Sequence, residues 1–174
     1  MNLQKSHTRR FLLVTGAGLA AIAFIRWPKE VGAATESKAF EVEKTDAEWQ
    51  RILTPAQYDV LRRHGTERAG LSPLNHEKRK GVFACAGCDL PLFSSETKFD
   101  SGTGWPSYYE PLPNAVGTSE DRSYFMVRTE VHCRRCGGHL GHVFDDGPKP
   151  TGLRYCINGV ALKFLPAETA APPA

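Results

Sequence analysis

The chain has 174 residues, 41% of them hydrophobic and 24% charged, which is enough for one domain with a real core and not clearly for two. Its formal charge of +3 is concentrated at the start: residues 1–33 carry Lys5, Arg9, Arg10, Arg26 and Lys29 against Glu30, so +3 less +4 leaves −1 for the rest. A nearly neutral body argues against a nucleic-acid binder, which shows a basic face, and it is not acidic enough for a disordered chain.

Met1 to Arg10 is polar and basic, Phe11 to Ile25 is apolar but diluted by Thr15, Gly16 and Gly18, and Val31-Gly32-Ala33 offers small residues for cleavage. This three-part layout is that of a bacterial export signal. Thr8-Arg9-Arg10-Phe11-Leu12 resembles a twin-arginine signal, with the phenylalanine one place earlier than in its usual form. A membrane anchor is the alternative, but fifteen apolar residues rising about 1.5 Å each cover about 22 Å, short of a hydrocarbon core of roughly 30 Å. The expectation is an export signal over residues 1–33, a leader over 34–44, and a mature periplasmic protein with no stable membrane span.

Thr45-Asp46-Ala47-Glu48 fits a capping box, and Trp49, Ile52 and Leu53 follow at helical spacing. Thr54-Pro55-Ala56-Gln57 repeats the start signal with proline at the first helical position. Tyr58, Val60 and Leu61 make the apolar face of this second helix, and Gly65 ends it. Residues 66–79 are polar and read as a long loop. From Gly81 onward short apolar runs alternate with glycine, proline and aspartate. The predicted strands are Gly81–Ala84, Leu92–Ser94, Tyr124–Val131, His139–Phe144, Arg154–Ile157 and Val160–Phe164. The fold class is therefore mainly β, two packed antiparallel sheets with short N-terminal helices. Residues 166–174, rich in alanine and proline, read as a disordered tail.

Five cysteines divide into two groups. Cys85-Ala86-Gly87-Cys88 and Cys133-Arg134-Arg135-Cys136 are C-x-x-C units, each a tight turn that aims two thiolates at one point. Gly87 and Gly137-Gly138 supply backbone freedom for these turns. Two such turns meeting make a tetrahedral sulfur site that suits one structural zinc per chain, with no open position for catalysis. Disulfides, favoured by an oxidising periplasm, and iron in the same cage are the alternatives.

Cys156 is left over. A lone thiol is either an inert buried hydrophobe or a nucleophile. Its company favours the second. Arg154, two residues away in a strand, points to the same face, and a nearby cation lowers a thiol pKa. His132, His139 and His142 lie close in sequence and can supply protons. Ser101 to Ser107 forms a glycine-flanked loop that presents Trp105, and Gly138 to Phe144 holds two histidines three apart. Taken singly, Trp105 reads as a corner aromatic and each histidine as structural; together with Cys156 they suggest a site.

The two C-x-x-C pairs, GWPS around Trp105, GHLGHVF from Gly138 and RYCIN from Arg154, in that order over about residues 45–165, resemble the methionine sulfoxide reductase B family, the peptide-methionine (R)-S-oxide reductases. The resemblance implies a zinc-bearing β domain and reduction of the R epimer of methionine sulfoxide in peptides or proteins. It assigns Cys156 as the nucleophile that becomes a sulfenic acid, His139 and His142 to polarise and protonate the sulfoxide oxygen, and Trp105 to hold the substrate methyl. Asn158 would orient Trp105, and Arg154 would position Cys156. The residue types suit the chemistry. A sulfoxide oxygen leaves poorly until protonated, a thiolate is a soft nucleophile for sulfur, and histidine donates protons near neutral pH.

Two positions depart from the family. Thr103 stands where many members carry a resolving cysteine, so the expected reductant of Cys156 is an external thiol, thioredoxin-like or small. Gly159 replaces a common serine, with an effect on local packing expected. Two rivals remain from other classes: a zinc-ribbon-like binding module gripping nucleic acid through Arg134, Arg135 and His132, and a scaffold without catalysis.

Overall fold

A computed structural model describes residues 40–167. The segment expected to be an export signal, the first part of the expected leader and residues 168–174 lie outside the described residues. Two short helices come first, α1 over Asp46–Ile52 and α2 over Pro55–Arg63. Both begin with a complete capping box. Thr45 and Thr54 accept the backbone N–H three residues on, and Glu48 and Gln57 reach back to the cap N–H groups at 2.8 and 3.0 Å. Trp49 and Leu53 are buried, whereas Ile52, placed on the same apolar face by its spacing, is 56% exposed. The left-handed residue that ends α2 is His64 (φ 57°) rather than Gly65, whose N–H bonds back to the Asp59 carbonyl at 3.0 Å.

Nine strands follow: β1 Gly81–Cys85, β2 Pro91–Ser94, β3 Lys98–Phe99, β4 Ser107–Tyr108, β5 Val116–Asp121, β6 Arg128–Cys133, β7 His139–Phe144, β8 Arg154–Ile157 and β9 Leu162–Pro166. They form the two antiparallel sheets expected, a small one in the order β2-β1-β9 and a large one in the order β3-β4-β8-β7-β6-β5. Aromatic rings join the sheets. Tyr108 of the large sheet stacks on Phe93 of the small one at 4.3 Å and meets Phe83 edge-on at 5.2 Å, all three fully buried.

Several predicted boundaries move. Tyr124–Val127 is a turn that exposes its side chains, and the strand starts at Arg128 and runs on to Cys133. Val116–Asp121 is an edge strand whose polar sequence VGTSED carries no alternation to betray it. β3 and β4, two residues each, are too short to show any period. Gly159–Ala161 forms a 3-10 turn, so the last strand begins at Leu162 and extends through Pro166, which pairs with Gly81 instead of belonging to a tail. The loop over 66–79 contains a 3-10 turn at Pro73–His76. Among the described residues no helix is long and apolar enough to cross a membrane.

Candidate active site

Cys156 sits in the middle of a row that crosses the large sheet. Antiparallel register sets Ser107 opposite Cys156, Cys156 opposite His142, His142 opposite Glu130, and Glu130 opposite Ser119. Residues directly opposite share a face, so these five side chains project to one side. The alternate residues Tyr108 and Tyr155 turn the other way, onto Phe93 of the small sheet. The polar row thus faces away from the aromatic core.

His139 joins this face because of a bulge. Three residues apart in a regular strand, His139 and His142 would point to opposite faces. Between the pairs Val131–Gly141 and His132–His139, however, β7 contributes one extra residue, Leu140. The parity is reversed, and the two imidazole centroids lie 5.4 Å apart. The bulge also turns the Leu140 carbonyl to accept both the backbone N–H and the Nδ2 amide of Asn158, at 2.8 and 2.9 Å. Gly141 is needed beside it, since a Cβ there would stand 2.0 Å from the Cys156 carbonyl oxygen.

Cys156, Trp105, His142 and Asn158 line one cleft of about 130 Å³, together with Thr66, Arg128, Gly141 and Phe144. His139 lines instead the adjoining hollow of about 410 Å³, which it shares with His142, Asp121 and Glu130. Arg154 does not line the cleft: its guanidinium is held by Asp146 through bonds of 2.8 and 2.9 Å and lies 4.4 Å over the Phe144 ring. His132 is outside both hollows, edge-on to Phe40 at 5.8 Å.

Each imidazole is anchored by a carboxylate. His139 Nδ1 is 2.7 Å from Glu130 Oε1, which also meets His64 Nδ1 at 3.0 Å; the other His139 nitrogen, Nε2, is buried with no partner. The His139 bond holds the Glu130 carboxyl down at about 2. His142 Nε2 is 2.7 Å from Asp121 Oδ2, yet burial lowers the His142 pKa, so it is a neutral imidazole near pH 7. Burial also dominates at Cys156 and raises its thiol pKa. Thr103, 3.9 Å from the sulfur, and Arg154 pull the other way and lose. The expected thiolate-favouring effect of Arg154 is present but outweighed by desolvation, and the resting group is a thiol.

Sequence reading missed Glu67, in the segment taken as a plain loop. Its carbonyl accepts the Trp105 indole N–H at 3.1 Å, and its N–H donates to Asn158 Oδ1 at 2.9 Å. Its carboxylate accepts the N–H groups of Gly159 and Val160. Asn158 therefore reaches Trp105 through the Glu67 backbone, not directly. The same segment pins the tryptophan loop at Gly104, whose carbonyl accepts from Gly70 at 2.8 Å and from Asn75 at 3.0 Å. A Cβ on Gly159 would come 1.8 Å from the Ser72 hydroxyl, so glycine there is coupled to this loop's packing.

Where β1 and β6 end, the four remaining cysteines converge. The two turns are built alike. Cys85 and Cys133 end their strands, and the carbonyl of each accepts the N–H of the residue four on, Asp89 or Gly137, at 2.9 Å. That residue is left-handed in both, φ 58° and 67°, so the freedom assigned to Gly87 falls on Asp89. No disulfide forms: Cys85 and Cys136 sulfurs are 3.8 Å apart, Cys88 and Cys133 3.5 Å. All four sulfurs lie within 4.8 Å of one another. A tetrahedral ion with sulfur bonds of about 2.3 Å needs edges of about 3.8 Å, so this set fits a metal. Arg134 and Arg135 both pair with Glu41, so these basic side chains are already engaged within the chain.

Residues 53–166 match the SelR domain model. A peptide methionine sulfoxide reductase MsrB of Agrobacterium fabrum is 58% identical over 127 residues, covering 72% of this chain and 94% of that protein. The chain belongs to the methionine sulfoxide reductase B family. Proteins of the same name from Methanosarcina barkeri, 59% identical over 73% of this chain and 90% of theirs, and Leptospira interrogans, 54% identical over 72% and 96%, agree. Within this family domain, the Glu130 anchor has a measurable signature. Its carboxyl is depressed from 4.5 to about 2 on folding, so its stabilisation is full above the ordinary glutamate range and is lost as pH falls toward 2. The stability difference between wild type and Glu130→Gln in urea titrations is therefore expected to be largest above about pH 5 and to shrink steadily below it.

Proposed function

We propose that this protein reduces the R epimer of methionine sulfoxide, in peptides and proteins, with Cys156 as the nucleophile. Family membership supports the reaction, and the relatives' name states the substrate class. The observation that carries the site assignment is the cleft in which the one cysteine outside the four-cysteine cluster meets an indole, an imidazole and a carboxamide.

In this cleft the Trp105 ring forms the apolar wall for the substrate methyl, with its plane set by the bond to Glu67. The methyl on one side and the oxygen on the histidine side define the handedness accepted. The Cys156 sulfur attacks the sulfoxide sulfur as its own proton leaves. His142 lines the cleft and passes protons to the sulfoxide oxygen, with His139 behind it holding a ring nitrogen that no protein group occupies. A thiol whose proton is retained until attack matches a reaction that must protonate oxygen. Net, oxygen passes from the methionine sulfur to Cys156. The methionine sulfur gains two electrons, and Cys156 loses two and becomes a sulfenic acid. Asn158 and Arg154 act on geometry, the first through Glu67 and the second through Asp146 and Phe144.

Thr103 Oγ1 lies 3.9 Å from the Cys156 sulfur and cannot form a disulfide with it. Two thiols of an external reductant, thioredoxin-like or small, therefore return Cys156 to the thiol, releasing water and a disulfide. The four clustered cysteines hold one structural zinc, which joins the ends of the two sheets and takes no part in the reaction. The basic and apolar segment over residues 1–33 supports export, by a twin-arginine-like route, to the periplasm.

Assays with the separate sulfoxide epimers of one peptide, with dithiothreitol as donor, are expected to show turnover of the R form alone and none for Cys156→Ser. Mass spectrometry after a single turnover without donor should find a sulfenic acid on Cys156; a disulfide to any C-x-x-C cysteine would refute direct external reduction. Elemental analysis should give about one zinc per chain, and a folded, metal-free preparation would remove the zinc assignment. N-terminal sequencing of the exported protein should begin near Ala34, and recovery of Met1 would count against a cleaved signal.

A further inference from the structure

The turn between β5 and β6 breaks two rules of folding at once. Tyr124, Phe125, Met126 and Val127 are consecutive apolar residues and all are exposed, Phe125 completely. Tyr124 and Phe125 also hold left-handed backbone, φ 55° and 59°, where bulky side chains are strained and glycine or asparagine is the usual choice. Phe125 gains no burial in return. Strain of this kind points from an observed outlier toward function.

Its location says which function. Asp121, at the base of the turn, accepts the Ser123 N–H at 2.8 Å and meets His142 at 2.7 Å. Arg128, at the other base, bonds Asp121 at 2.6 Å and the Ser123 hydroxyl at 3.0 Å, lies 5.9 Å from the Tyr124 ring, and itself lines the Cys156 cleft. Tyr124 lines the hollow beside that cleft with His142. Tyr124 thus borders the hollow that adjoins the candidate active site, and the Asp121–Arg128 ion pair fastens the base of the turn there, with Phe125 projecting beyond it into solvent.

We propose that Tyr124–Val127 is a ledge that binds the apolar side chains flanking an oxidised methionine in an unfolded or loosened polypeptide. This rests on the sulfoxide reductase function above and names its substrate class. Oxidation makes a core methionine polar and disrupts the packing around it, so its neighbours in the chain become exposed and are apolar. Exposed rings that start at the hollow beside the cleft, with Tyr124, and run outward to Phe125 would select such segments over isolated, polar-flanked sulfoxides.

The test compares two peptides with the same R sulfoxide, one flanked by leucine and phenylalanine, the other by serine and glycine, with N-acetylmethionine sulfoxide as a reference too small to span the rim. Wild type is expected to favour the apolar-flanked peptide by about fivefold in kcat/KM, as partial burial of two rings implies. Phe125→Gly, whose backbone suits this φ, should cut that ratio to about twofold, the share left to Tyr124, while its thermal midpoint does not fall; Phe125→Ser should lower the ratio likewise. An unchanged ratio in Phe125→Gly, with both peptides still turned over, overturns the ledge and leaves the reductase function standing. Absence of turnover with every sulfoxide overturns both. Phe125-dependent retention on lipid vesicles without any flank preference assigns the turn to a membrane surface and overturns the ledge.

Discussion

Between His139 and Gly141, strand β7 carries one residue more than the strand beside it. That single insertion reverses the alternation of side chains, so both histidines face the side on which Cys156 lies. It also frees the Leu140 carbonyl for Asn158, and it brings β7 so near the Cys156 backbone that only glycine fits at position 141. Remove the bulge and His139 would turn to the other face of the sheet, leaving Glu130 with His64 and Ser119 alone. Bulges commonly re-aim side chains next to active sites, and here one brings the candidate site residues to a single face.

The chemistry then follows from desolvation balanced by local dipoles. Cys156 and His142 are both buried enough to prefer their neutral forms, in spite of Arg154 beside one and Asp121 beside the other. A neutral thiol and a neutral imidazole at the cleft suit a substrate that is itself uncharged and has to receive protons. The carboxylates that anchor the histidines stay ionised because the imidazoles and neighbouring donors hold them so. The four clustered cysteines bring the end of β1 to the end of β6, and hence one sheet to the other.

Much of this was legible in the chain. The capping boxes at Thr45 and Thr54, the C-x-x-C pairs and the two-sheet architecture come from local rules that act within a few residues. Cys156 stood out by counting, and the motifs around Trp105, His139 and Asn158 placed the family. Errors fell where local signals mislead. The apolar run Tyr124–Val127 imitates a strand, yet forms the exposed turn whose cost the candidate ledge explains. The polar run Val116–Asp121 imitates a loop, yet pairs along its whole length with β6. Glu67 gave no signal at all, because its importance lies in main-chain bonds to residues 38 and 91 positions away.

By itself the amino-acid order determined the helix starts, the four cysteines that cluster, the spare thiol and the kind of reaction, since each depends on residue type at short spacing. Tertiary structure alone decided which side chains share the cleft. It placed His142 there and His139 behind it, took Arg154 away to Asp146, and made burial prevail over a nearby cation at Cys156. Those outcomes depend on strand register and on solvent exclusion, which are properties of distant segments packed together and are not written in any one stretch of the chain.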